Sequence, residues 1–191
     1  MKNLFLPDNY VPPTQGNYMK LRQGENTFRV LSSAIIGWEY WTQDNKPVRS
    51  KTLFKSTPVD IRRDNNGNPQ KIKHFWAFIV WNYDLNSIQI MEITQSTIQS
   101  NIKTLIDNKK WGLPQGYDIT IVRDGEGLDT SYSVVPSPHS EVEQSILDEY
   151  NSGKNINLEA LYDGNSPFEE TKVQQIEDAD QVVDVRGISF N

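Results

Sequence analysis

From Asn26 onward, short apolar runs rich in β-branched and aromatic residues alternate with polar turns. TFRVLSS and AIIGWEYWT together predict one long strand, bent or bulged at Gly37, because an interior glycine packs no side chain and marks a bend. In PVRSKTLFK, Val48, Ser50, Thr52 and Phe54 alternate with Arg49, Lys51, Leu53 and Lys55, which predicts a second strand. STPVDIRRDNNGNPQK is a turn-rich, basic loop. KIKHFWAFIVWNY predicts a third strand, DLNS a turn, and IQIMEIT a fourth strand that closes a hairpin.

The period then changes. In TQSTIQSNIKTLIDNKK, Ile98, Ile102, Leu105 and Ile106 fall on one face of an amphipathic helix, which Trp111-Gly112 and Pro114 end. YDITIVRDG and DTSYSVVP predict two further strands joined through Gly125 and Gly127. Beyond Pro138 the strand signals stop. Ser140 with Glu143 fits a capping box for a short helix over EVEQSILDEY, and NLEALYDG predicts another short piece.

Four strands, a helix and two more strands predict a mainly β protein: an OB-fold-like, five-stranded Greek-key barrel with one helix between its strand groups. The expected division is an irregular arm over 1–17, the barrel over 18–139, a short helical extension over 140–165 and a disordered acidic tail over 166–191.

The third strand has two apolar faces. One carries His74, Trp76, Phe78, Val80 and Asn82; the other carries Phe75, Ala77, Ile79, Trp81 and Tyr83 and extends back to Lys71 and Lys73. A small barrel has one interior, so one face must meet the helix, the arm or a ligand. Shared parity with the lysines favours the Phe75, Trp81 and Tyr83 face as the open one, with Trp76 as the competitor. GWEYWT similarly sets Trp38 and Tyr40 against Glu39 and Trp41.

Charge sharpens this picture. The net charge of −6 divides into +3 over residues 1–138 and −9 over residues 139–191. Residues 46–73 are the basic extreme, with Lys46, Arg49, Lys51, Lys55, Arg62, Arg63, Lys71 and Lys73 against Asp60 and Asp64. A basic body with an acidic appendage suits a polyanion partner. There is no cysteine and there are only two histidines, His74 and His139, so thiolate chemistry and histidine-built metal sites are not expected, and no cofactor is implied. MKNLFLPDNYVPP lacks the design of a secretory leader, and no apolar run is long enough for a membrane span.

No phosphate-binding glycine loop, dinucleotide fingerprint or nucleophile elbow is present, and most of the body's carboxylates fall at turns and strand ends. The chain is therefore read as a non-enzyme. Aromatic rings beside a basic loop match single-stranded nucleic acid, whose bases stack on exposed rings while cations track the phosphates. Duplex DNA hides its base faces. An assembly protein that uses a β-barrel for protein contacts and a metal-dependent nuclease are the competing classes, and RNA is a variant of the first, since stacking does not select the sugar.

YMKLRQGENTFRVLSSAIIGWEYW, KPVRS, KHFWAFIVWNYDLNSIQIMEITQSTIQ and GYDITIVRDGEGLDTSYSVVPSPH resemble, in that order, a family of phage single-stranded DNA-binding proteins. The resemblance covers residues 18–139. It implies an OB-fold that coats single-stranded DNA in phage replication, recombination or repair, in the cytoplasm of the bacterial host. The DNA surface it implies draws on Trp38, Tyr40, Trp41, Arg49, Lys51, Lys73, Phe75, Trp76, Trp81 and Tyr83; Arg62, Arg63 and Lys71 are added from charge alone. Some relatives hold zinc through cysteines, which this chain lacks. The resemblance also implies a partner-docking tail, here Asp180, Asp184, Ile188 and Phe190, although Arg186 and the terminal Asn191 depart from the usual acidic, aromatic-tipped pattern.

Overall fold

The computed structural model describes residues 16–153 and 155–168. The arm over 1–15 and the tail residues Asp180, Asp184, Ile188 and Phe190 lie outside the described residues. Eight strands form one mixed sheet: β1 (Tyr18–Met19), β2 (Gly24–Val30), β3 (Ile35–Trp41), β4 (Pro47–Ser50), β5 (Lys73–Asn82), β6 (Ser87–Ile93), β7 (Asp118–Asp124) and β8 (Ser131–Pro136). Helix α1 (Ser96–Asp107) lies between β6 and β7, and α2 (Gln144–Ser152) follows β8. A 3-10 turn spans Leu158–Asp163.

The strand order is OB-like. β5 is the central strand. It pairs antiparallel with β3 through Lys73–Ala77, with β2 through Val80–Asn82, and with β6 along its other edge. β2 also pairs with β7, and β7 with β8. Ile98 and Ile102 of α1 share the interior with Phe28, Phe78, Val80, Met91 and Ile119, and α1 packs against β8.

Three local departures from the sequence pattern have physical causes. The predicted bend falls at residues 31–34, not at Gly37, because the Ser32 hydroxyl accepts the Ile79 N–H at 2.9 Å and replaces a ladder bond. Gly37 is instead a close-approach position: a Cβ there would meet Phe75 at 3.0 Å and Tyr162 at 3.1 Å. The second predicted strand stops at Ser50, whose hydroxyl accepts the Thr52 N–H in a turn. Ser140 caps no helix, since buried Arg29 donates to its hydroxyl at 2.6 Å, and α2 begins only at Gln144. The hairpin between β7 and β8 turns at Gly125 and Gly127, both at positive φ as their residue type allows.

The two faces of β5 resolve opposite to the expectation. Phe78 and Val80 point into the barrel. Phe75, Ala77 and Ile79 point outward and are buried with Leu158 and Leu161, with Tyr150, Ile156, Tyr162 and Phe168 packed around them. The chain after Pro138 thus forms a second apolar layer over the outer face of β5. Tyr162 O–H donates to Ile36 O at 2.6 Å, Lys51 pairs with Glu159 at 2.6 Å, and Ile156 bridges Phe168.

Candidate nucleic-acid interface

Covering the outer face removes several expected contact residues from the surface. Phe75 is fully buried and Trp81 is 8% exposed, so neither presents a ring face for stacking. Arg49 leans over the Phe75 ring with its guanidinium carbon 5.6 Å from the centroid. It pairs with Glu39 at 3.2 Å and Glu92 at 2.8 Å, so this cation is committed to two carboxylates. Burial holds the Glu92 carboxyl above its usual range, and Arg49 pulls it partly back. Lys51 is exposed but engaged, paired with Glu159 and lying 5.0 Å from the Tyr162 ring centre.

Tyr40 and Tyr83 are also occupied. The Tyr40 hydroxyl donates to Asp60 at 3.0 Å and its ring meets Phe54 edge-on. Tyr83 O–H donates to Asp118 Oδ1 at 2.9 Å, where Arg29 Nε also donates at 2.6 Å. Burial, then the Asp118 bond and charge, push the Tyr83 phenol up from 10.0 to about 12. A raised folded-state value means that this site favours folding fully below the unfolded value and loses that contribution as pH climbs through the folded one. Stability is expected to fall between about pH 10 and pH 12. In Tyr83→Phe this part of the decline should flatten, as read by urea unfolding across that range.

What stays accessible lies on the inward-facing side of β3 and β5, where it runs out beyond the closed part of the barrel. In register, Ile36 faces Trp76 and Trp38 faces His74, so these four side chains share one face. Trp38 meets His74 edge-on with centroids 5.1 Å apart. Both tryptophans are half-buried and Ile36 is 55% exposed, so the face is apolar and open. Trp41 is exposed on the opposite side of β3, at the entry to the basic loop.

That loop is built as an extension of β3. Thr42 bridges Ile61, Arg62 N–H donates to Trp41 O at 2.7 Å, and Arg63 bridges Pro69. Ile61 is buried and anchors it. Arg62, Arg63, Lys71 and Lys73 are all exposed and form no ion pair among the described residues, although Arg63 donates to Gly67 O at 2.8 Å. Half-open Trp38 and Trp76 and exposed Ile36 thus share one face of β3 and β5, while the exposed cations lie on the loop that extends the far end of β3 and at the start of β5.

Among the described residues, neither histidine stands in a group of potential metal ligands. His139 stacks on Trp111 and hydrogen-bonds its carbonyl at 2.8 Å. Among the described residues no group of three or more His, Asp or Glu side chains is placed to hold a metal, and no helix is long and apolar enough to cross a membrane. The sequence singled out Trp38, Trp76 and the loop cations. It missed Ile36, because the signal for it is its pairing with Trp76, a register property that no linear pattern displays, and it missed the cavity that Trp76 lines with α1.

Fold and surface together define a mainly β, OB-like protein with an open tryptophan face beside an exposed basic loop. The chain is similar to the probable ssDNA-binding protein of Escherichia phage T5, with 25% identity over 139 aligned positions that cover 61% of this chain and 53% of that protein. The chain spans about half the length of that relative. No family model matches, and no solved structure matches.

Proposed function

We propose that this protein binds and protects single-stranded DNA, largely without regard to sequence, and performs no chemistry on it. The observation that carries the proposal is the open face shared by Trp38 and Trp76, on a sheet whose adjoining loop carries the exposed cations Arg62, Arg63 and Lys71, with Lys73 at the start of β5. Bases stack on the two indoles, each stack worth about 1–3 kcal/mol, while the loop cations follow the phosphates and release counterions. Trp41 adds a ring at the loop entry. Lys51 contributes only by leaving Glu159. The similarity to the probable ssDNA-binding protein of phage T5 supports the same reading. In that setting the protein coats single strands during phage replication, recombination or repair in the cytoplasm of the host.

Titration with oligo-dT should quench tryptophan fluorescence, and log affinity should fall linearly with log salt. Trp38→Ala and Trp76→Ala should each weaken binding by about 1–3 kcal/mol at fixed salt. Replacing Arg62, Arg63, Lys71 and Lys73 by alanine together should reduce the salt slope by about 3, at roughly 0.7 per single-strand phosphate contact. Absence of quenching at low salt would remove the proposal.

A further inference from the structure

β4 covers only part of the β3 edge. It pairs with β3 from Trp41 back to Trp38 and leaves at Ser50. The Thr42 N–H donates to Lys46 O in the same register, so the even-numbered residues of β3 turn their backbone groups toward β4. Ile36, two residues before Trp38, therefore presents its carbonyl to an edge where, among the described residues, no strand lies beside it. A ladder carbonyl left without a strand partner needs another donor. Tyr162 supplies it, donating its hydroxyl to Ile36 O at 2.6 Å.

The ring reaches this carbonyl from the outer face, over Gly37. A Cβ on Gly37 would stand 3.1 Å from the Tyr162 ring, so the absent side chain admits the close approach. Gly37 pairs with Phe75, and that pair lies between the two that build the open face, Ile36 with Trp76 and Trp38 with His74. Tyr162 thus backs the sheet directly behind Trp38 and Trp76. Its own turn is anchored by the Lys51–Glu159 pair at 2.6 Å, with the Lys51 cation 5.0 Å from the Tyr162 ring centre. Burial, then the Glu159 charge, holds the Tyr162 phenol above its ordinary value, so its proton stays available to donate at neutral pH.

We propose that Tyr162 is a positioning residue for the DNA-binding face. Its hydroxyl fixes the β3 backbone at Ile36, and with it the Trp38 indole relative to Trp76, before any base arrives. A stacking surface set in advance removes that ordering from the binding step. This inference rests on the proposed single-stranded DNA binding and gives the covering segment a part in it. The role belongs to the hydroxyl, whereas packing of the Tyr162 ring near Phe75 serves folding stability.

The full chain and Tyr162→Phe are titrated with oligo-dT across salt, alone and in Trp38→Ala and Lys71→Ala backgrounds. Phenylalanine keeps the ring and removes only the donor. The expected result is a loss of about three- to tenfold in affinity with an unchanged salt slope. That loss should vanish in the Trp38→Ala background, where no indole remains to be placed, and persist in full in the Lys71→Ala background. A purely structural role would give the same loss in both. Unchanged affinity in Tyr162→Phe, or equal losses in the two backgrounds, overturns the proposal. A second measurement needs no variant, because a bond that favours the DNA-bound form must itself be favoured by DNA. Saturating oligo-dT should slow amide exchange over Leu158–Asp163 in the wild type, although that turn covers the opposite face of the sheet. Unaltered exchange there also overturns the proposal and leaves the stacking face standing. Failure of the wild type to bind oligo-dT at all removes the DNA-binding reading itself.

Discussion

Phe75→Ala is expected to lower folding stability by about 3–5 kcal/mol and to leave the DNA affinity of the folded protein unchanged. The ring is fully buried between β5 and the segment after Pro138, among Leu158, Leu161 and Tyr162, with the Tyr162 ring centre 6.0 Å away. Truncation removes a large apolar surface and leaves a void that Ala77 and Gly37 are too small to fill. Urea unfolding should show a lower midpoint with an unchanged slope. The opposite pattern, full stability with weakened oligo-dT binding, would put Phe75 on the nucleic acid and require the covering segment to lift off.

Arg49→Ala carries a comparable cost for a different reason. The side chain is 6% exposed and sits between Glu39, itself 7% exposed, and Glu92. Removing the cation leaves buried Glu39 and half-buried Glu92 close together and uncompensated, and breaking a buried arrangement of this kind costs about 3–5 kcal/mol. Burial already holds Glu92 above its usual range, and the loss of Arg49 removes the main opposing influence. A carboxyl whose folded-state value is raised favours the fold while protonated, and that contribution is lost as pH rises through the folded value. The variant should therefore recover stability as pH is lowered from neutrality toward the carboxylate range. Its salt slope for oligo-dT should match the wild type; a slope flattened by about 0.7 would mean instead that Arg49 holds a phosphate.

Both variants bear on how much of this protein is legible in its sequence. Period alone identified six strand segments, the helix over Ile98 and Ile102 and the hairpin through Gly125 and Gly127, but it ran β2 and β3 together and missed the two-residue β1. It also showed that β5 has two apolar faces needing two separate covers. It could not show which cover lies on which face. Shared parity with Lys71 and Lys73 pointed to the Phe75 face as the open one, yet that face is closed by Leu158 and Leu161, 83 and 86 positions after Phe75 in the chain. Arg49 had the same difficulty. An arginine in a basic stretch reads as a phosphate ligand, and only pairing of β4 with β3 and of β5 with β6 brings Glu39 and Glu92 to it. The break at Ser32 was invisible for a similar reason, since its hydroxyl acts on a strand 47 residues away.

The sequence by itself determined the class of elements, their order, and the concentration of rings and cations in residues 38–83. Periodicity and composition are local properties, and they survive any arrangement of the chain in space. Tertiary structure decided the sorting of that concentration. The later segment buried Phe75 and engaged Lys51, and sheet pairing committed Arg49 to Glu39 and Glu92, while Trp38, Trp76, Arg62, Arg63, Lys71 and Lys73 kept access to solvent. Burial depends on which distant segment arrives, and alternation along one strand holds no information about that arrival.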